Sequence, residues 1–194
     1  ECLALCVSHG DPASWEISVG CLAGKDGFLM VKKLLAPKNL CLSGVIAALY
    51  AVLTMFLPIL SYGPWQCRIS EALTLLPMIL PQSIPGLFVG CLVANLTSTV
   101  GAVDIIVGSL ATLLAAVGTY LLRDKKWLAA ACPVVANGLI VGGMIGIVSG
   151  IPIASGAFWL IVLQVAAGEA VAVYALGFLL LSALKRVDLS AYKM

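Results

Sequence analysis

Glu169 is the residue best placed to do chemistry in this chain of 194 residues, because it stands inside a long apolar segment. It is preceded by Gln-Val-Ala-Ala-Gly and followed by Ala-Val-Ala-Val. A carboxylate within a membrane-spanning segment is costly and usually faces a cavity or a partner. We expect Glu169 either to bind a polar ligand or to stabilise a helix bundle through a hydrogen bond. The same two interpretations apply to Asn137 in the preceding apolar segment, although its side chain is uncharged.

Gln164 lies five residues before Glu169 in the same apolar segment. At about 100° per residue, the two side chains are about 140° apart around an ideal helix. They cannot both face one small ligand unless the helix is irregular near Gly168. We therefore take Glu169 as the main candidate for binding a ligand and Gln164 as a secondary one.

A second polar group follows the first apolar segment, between Ser61 and Glu71. Arg68 and Glu71 are three residues apart and can pair on one helix face, which is the simpler interpretation. The functional alternative is a polar clamp that binds a solute beneath an aromatic lid. This candidate clamp and its lid comprise Tyr62, Trp65, Gln66, Arg68 and Glu71. Both aromatic residues also fit an interfacial belt of a membrane protein.

Asn95 and Asp104 extend the polar group, because one ends an apolar segment and the other begins the next. Asp104 also suits the first turn of a helix, where the helix dipole favours a carboxylate. An ion channel would repeat polar positions along its pore. Here the polar residues gather toward one side around isolated carboxylates, which favours capture of a small polar solute.

Apolar segments must position all of these side chains. The chain is 62% apolar and 10% charged, whereas soluble domains are about half apolar and a quarter charged. A net charge of +2 is too small to attract the phosphate groups of nucleic acid. We predict an all-α integral membrane protein, a bundle of six transmembrane helices in a lipid bilayer, with a short second and third helix. The six segments span residues 40–60, 69–80, 84–100, 104–122, 128–148 and 157–184.

Positive charges predict the orientation of this bundle. Nine of the ten Lys and Arg residues from Met30 onward are separated by even numbers of segments, so one side holds them all. The positive-inside bias makes that side cytoplasmic, together with both chain termini. Arg68 is the exception, on the outer side. The nine are Lys32, Lys33, Lys38, Arg123, Lys125, Lys126, Lys185, Arg186 and Lys193.

Residues 1–29 differ in character from the rest, since they carry scattered acidic residues and no apolar run long enough to span a membrane. The sequence turns basic and then apolar at Met30. We expect Met30 to be the true initiator and residues 30–194 to form the membrane domain. The alternative is a genuine cytoplasmic tail.

Motifs of the common enzymes are missing from the sequence. It contains no H-E-x-x-H, no G-x-S-x-G and no complete phosphate loop. The single histidine, His9, lies in the doubtful N-terminal segment with Cys2 and Cys6, and three ligands without a fourth are weak support for a metal. We therefore expect no enzyme activity, no cofactor and no metal, and no ATP hydrolysis by this chain alone.

Small residues on the first apolar segment form two pairs at helical spacing, Gly44 with Ala48 and Ala47 with Ala51. Such pairs let helix backbones approach closely. They serve either to dock a partner helix or to pack the chain internally, and the spacing alone does not separate these alternatives.

The candidate residues belong to longer motifs that resemble those of one known family. The motifs are Ser-Tyr-Gly-Pro-Trp-Gln-Cys-Arg-Ile-Ser-Glu-Ala-Leu-Thr-Leu-Leu-Pro at 61–77, Ile-Pro-Gly-Leu-Phe at 84–88 with Asn95, Asp104 with Gly-Ser-Leu-Ala-Thr at 108–112, and Gly-Glu at 168–169. Together they resemble the queuosine-precursor transporter family of the QueT type. The resemblance runs from about residue 30 to residue 184 and leaves out residues 1–29.

This resemblance implies the substrate-binding S component of an energy-coupling factor (ECF) transporter, in the cytoplasmic membrane of a bacterium. Its implied partners are a transmembrane coupling protein of the EcfT type and two cytoplasmic ATPases. In other S components a face of small residues on the first helix docks the coupling protein, and Gly44, Ala47, Ala48 and Ala51 offer such a face. The alternatives are a self-sufficient secondary transporter of a polar solute, an S component for another vitamin-like solute, or a membrane protein outside transport.

The implied solute is a 7-deazaguanine carrying a 7-cyano or a 7-aminomethyl group. Its guanine-like edge offers adjacent N–H donors to a carboxylate and a carbonyl to an amide or an arginine. Trp65 or Tyr62 can stack on the flat ring. A cationic aminomethyl group needs a second carboxylate, for which Glu71, Glu169 and Asp104 are the candidates.

Overall fold

The computed structural model describes residues 36–56, 68–98 and 100–186. Within these ranges the chain forms helices and turns and no strand. The predictions on Met30, Tyr62, Trp65 and Gln66 lie outside the described residues. The helices are α1 (Pro37–Phe56), a 3₁₀ helix (Ile69–Met78), α2 (Ser83–Asn95), α3 (Ala102–Leu121), α4 (Lys126–Val148) and α5 (Gly156–Leu184).

Four of the described helices, α1, α3, α4 and α5, are long and apolar enough to cross a membrane, with mean hydropathies of 1.8 to 2.0. The 3₁₀ helix has 10 residues and α2 has 13, so both are shorter. Large apolar side chains such as Phe56, Ile106 and Leu163 are exposed, as lipid contact requires. The predicted all-helical membrane protein is confirmed, while the count of six spans stays a prediction.

The 3₁₀ helix lies at the centre of the bundle and contacts each of the five other described helices. All its residues from Ser70 to Pro77 are buried. Leu73 and Leu76 pack against α1 and α2, while Leu75 packs against α5. Runs of 3₁₀ helix longer than three or four residues are uncommon and often mark strain or function. This element places Arg68 and Glu71 between the longer helices.

Close packing of α4 against α5 depends on glycines four residues apart. A Cβ atom on Gly138, Gly142 or Gly146 would lie 2.8, 2.9 or 2.5 Å from Ala166, Val162 or Phe158. Because contacts advance along α4 as they retreat along α5, the two helices are antiparallel. Small residues at this spacing allow the backbones to approach closely. This glycine row was not predicted from the sequence.

Both α4 and α5 change from α-helical to π-helical geometry at mid-length. The π-helical segments are Asn137–Val141 and Val171–Gly177. Asn137 begins the first segment, and Glu169 lies two residues before the second. Such widened turns occur frequently at functional sites, because they re-aim the neighbouring side chains.

The described Lys and Arg residues other than Arg68 lie at one end of the bundle. Helices α1 and α2 run parallel, since Ser43 lies against Gly86 and Ala47 against Gly90. After α2 the chain reverses direction into α3, and the antiparallel α4–α5 pair brings the end of α5 back beside the start of α4. The residues at this end are Lys38, Arg123, Lys125, Lys126, Lys185 and Arg186.

Candidate binding site

The buried charged residues of the described chain gather in one place. Arg68, Glu71, Asp104 and Glu169 are between 1% and 6% exposed. Burial of an ionised group is costly unless the group is paired or hydrogen-bonded. Four such residues from three parts of the fold therefore indicate a built polar site rather than chance placement.

A small cavity lies where the 3₁₀ helix meets α4 and α5. Four of its lining side chains are polar and two are apolar. The lining residues are Arg68, Glu71, Asn137, Val141, Val165 and Glu169. Four predicted residues, Arg68, Glu71, Asn137 and Glu169, thus meet around one space.

Arg68 is held at one side of the cavity by the ends of α2 and α3. Its Nη2 lies 3.4 Å from Oδ2 of Asp104, and its Nη1 donates to Oδ1 of Asn95 at 3.5 Å. Asn95 in turn donates to the backbone carbonyl of Asp104 at 3.0 Å, and Ser98 donates to Oδ2 of Asp104. The structure thus brings Asn95 and Asp104 together around the guanidinium, and the ion pair of Arg68 is with Asp104.

Glu71 and Glu169 are each oriented by a neutral donor on another helix. The Tyr50 hydroxyl of α1 donates to Oε1 of Glu71. The side-chain amide of Asn137 donates to Oε1 of Glu169 at 2.8 Å. Each carboxylate therefore has one oxygen bound at the wall of the cavity, which fixes the direction of the whole group.

Tyr50 was not among the residues predicted for the site. Its side chain is completely buried. The available signal was a tyrosine within an apolar helix, because a buried tyrosine hydroxyl usually finds a hydrogen-bond partner. Periodicity alone gave no reason to place that partner on the 3₁₀ helix.

Two oxygen atoms at the cavity have no hydrogen-bond donor among the described residues. They are Oε2 of Glu71 and Oδ1 of Asn137. Buried polar atoms of native proteins nearly always have a partner. Since both atoms are acceptors, the described lining of the cavity is short of donors.

The other predicted residues that the structure describes do not line this cavity. Gln164 is half-buried on α5 and does not line the cavity. Gly44 and Ala48 are exposed on α1, whereas Ala47 packs against Gly90 and Ala51 is buried. The docking role of these small residues stays a prediction, but only one of the two pairs faces outward.

Comparison with known proteins gives a family match and a relative. The family model described as "QueT transporter" matches residues 40–186. The Queuosine precursor transporter QueT of Lactococcus lactis subsp. cremoris (strain MG1363) is 42% identical over 72 residues. This alignment covers 36% of the chain and 42% of that protein, so the chain spans less than half of its relative's length. No solved structure matches the chain.

Proposed function

The chain belongs to the QueT transporter family, and from that premise we propose that it is the substrate-binding S component of an ECF importer. Membership of a transporter family confirms the resemblance and agrees with the expectation that the chain is not an enzyme. The proposed solutes are the queuosine precursors 7-cyano- and 7-aminomethyl-7-deazaguanine. The observation that carries the proposal is the buried polar cavity between Arg68, Glu71, Asn137 and Glu169.

A small heterocyclic ligand is supported by the lining of this cavity. Its carboxylates accept N–H groups, and the Arg68 guanidinium donates to a carbonyl. Val141 and Val165 supply apolar walls for the faces of a flat ring.

The distribution of charge supports the proposed orientation in the bacterial cytoplasmic membrane. The end of the bundle with Lys38, Arg123 and Lys185 is proposed to be cytoplasmic, with both chain termini. Arg68, Asn95 and Asp104 then lie toward the outer side, from which the solute enters. Import against a gradient needs an energy source, and the sequence contains no complete phosphate loop.

We assign ATP hydrolysis to two partner ATPases that act through a coupling protein of the EcfT type. Exposed small residues on α1 support docking of such a membrane partner. Gly44 and Ala48 are four residues apart and both are exposed, which leaves a shallow strip where another helix backbone can approach. Ala47 and Ala51 lie beside this strip and support it from within.

Calorimetric titration of the purified full chain with both deazaguanines tests the proposed function. We expect saturable binding of at least one compound, and none of adenine, which lacks the carbonyl that Arg68 is proposed to bind. A folded protein that binds neither deazaguanine contradicts the proposal. Co-purification with ATPases distinguishes an S component from a self-sufficient secondary transporter, which would bind the solute without them.

A further inference from the structure

We infer that the cavity selects a ligand that carries a primary ammonium group, and that Glu71, Glu169 and Asn137 hold this group. The inference rests on the proposed function and deepens it, because it distinguishes between the two proposed solutes. The 7-aminomethyl compound is a cation at neutral pH, whereas the 7-cyano compound is not. The inference is based on the balance of charge around the cavity and on the positions of the oxygen atoms that have no donor among the described residues.

Negative charge exceeds positive charge at the site. The buried charged residues of the described chain are three carboxylates, Glu71, Asp104 and Glu169, and one guanidinium, Arg68. Arg68 forms its ion pair with Asp104. The carboxylates of Glu71 and Glu169 share the cavity and interact electrostatically. In a medium of low dielectric constant, two neighbouring carboxylates are costly unless a cation or a shared proton compensates their charge. The ammonium group of a ligand can supply that cation.

The free oxygen atoms match the donors of an ammonium group. Tyr50 occupies Oε1 of Glu71, and the amide nitrogen of Asn137 occupies Oε1 of Glu169. Oε2 of Glu71 and Oδ1 of Asn137 remain without a donor among the described residues. An ammonium group has three donors and no acceptor, so it can bind these two oxygens and the Glu169 carboxylate together.

A nitrile group cannot donate a hydrogen bond to these oxygen atoms. Its nitrogen atom is only an acceptor, so it would face carboxylate and amide oxygens without a hydrogen bond. Leaving buried polar atoms unpaired is costly. Arg68 lines the other side of the cavity, where we propose that the carbonyl of the ring binds, and both compounds share this carbonyl. The two solutes therefore differ at the acidic end of the cavity and not at Arg68.

The experiment compares the affinities of the aminomethyl and cyano compounds for the full chain by calorimetry. A charge-assisted hydrogen bond predicts about ten- to a hundredfold tighter binding of the aminomethyl compound by the wild type. Glu71→Gln and Glu169→Gln should each reduce this ratio of affinities by about tenfold. Asp124→Asn is the matched control, because it removes an exposed carboxylate far from the cavity and should leave the ratio unchanged.

The outcomes separate this inference from the proposed function. Equal affinity of the wild type for both compounds overturns the inference, and so does an unchanged ratio in both glutamine variants. In either case the binding itself still supports the proposed function. A folded wild type that binds neither compound overturns both. The wild-type comparison requires no variant to fold, and thermal unfolding checks the glutamine variants.

Discussion

Asn137 on α4 donates its side-chain amide to Oε1 of Glu169 on α5 at 2.8 Å, at mid-length of two helices that are long enough to span a membrane. The contact depends on the close approach of the two helices at Gly138 and Gly142. It also coincides with the places where each helix becomes π-helical. The relation between these two residues sets the direction of the carboxylate, and hence the chemistry of the cavity.

Replacement of Glu169 should weaken ligand binding strongly. Glu169→Gln keeps the shape of the side chain but removes its charge and replaces one acceptor oxygen with a donor. Loss of a charge-assisted bond predicts about a ten- to hundredfold loss of affinity for the aminomethyl compound. Gln164→Glu should change affinity less, because Gln164 does not line the cavity. If the folded Glu169→Gln protein has unchanged affinity for every deazaguanine tested, Glu169 has only a structural role.

Removal of the Tyr50 hydroxyl should loosen Glu71. Tyr50→Phe leaves Oε1 of Glu71 without this donor, which costs about 1–3 kcal/mol for a buried polar group. We expect a lower midpoint of thermal unfolding and weaker ligand binding. Tyr174→Phe is the matched control, since its hydroxyl donates to the Trp127 carbonyl in an exposed position. If the two variants lose equal stability, the hydrogen bond to Glu71 has no special importance.

A single methyl group at Gly108 should disturb the support of Arg68. A Cβ atom there would lie 2.6 Å from Nδ2 of Asn95 and 2.7 Å from Oδ1 of Asp104. Gly108→Ala should therefore displace both side chains from Arg68 and reduce ligand affinity, as titration would measure. Gly156→Ala is the control, because no atom lies within 4 Å of a Cβ atom at that position. Equal affinities of the two variants would mean that Asn95 and Asp104 do not position Arg68 for binding.

A large side chain on the exposed strip of α1 should block assembly with the coupling protein. Ala48→Trp adds bulk where we propose that a partner helix approaches, and it leaves the cavity untouched. The variant should lose the ATPases on co-purification and keep the ligand affinity of the isolated chain. Leu163→Trp, on the exposed face of α5, is the control. Retention of the whole complex by Ala48→Trp would place the docking surface elsewhere. Ala51→Leu is less suitable, because Ala51 is buried and its enlargement disturbs the core.

The sequence predicted those parts of the site that a local pattern reveals. Glu169 and Asn137 were recognisable because a polar residue within an apolar segment is costly and usually has a partner or a function. The positively charged end followed from counting charges between segments. The apolar segments also located the described helices to within a few residues.

The remaining features depend on contacts between distant parts of the chain. The spacing of Arg68 and Glu71 favoured a local pair, whereas the ion pair of Arg68 is with Asp104 from α3. Tyr50 reaches Glu71 only because the 3₁₀ helix packs against α1. The π-helical turns leave no mark in the hydrophobic periodicity. Nor could the spacing of small residues show that Ala51 is buried and Ala48 exposed.

The most direct test of the central claim is calorimetric titration of 7-aminomethyl-7-deazaguanine into two purified proteins, the wild type and Glu71→Gln/Glu169→Gln. Both carboxylates of the cavity are removed in the double variant, and its thermal unfolding shows whether it is folded. The wild type should bind with a saturable heat, and the folded double variant should bind at least about a hundredfold more weakly. Equal affinity of the two folded proteins would contradict the claim that this cavity is the binding site.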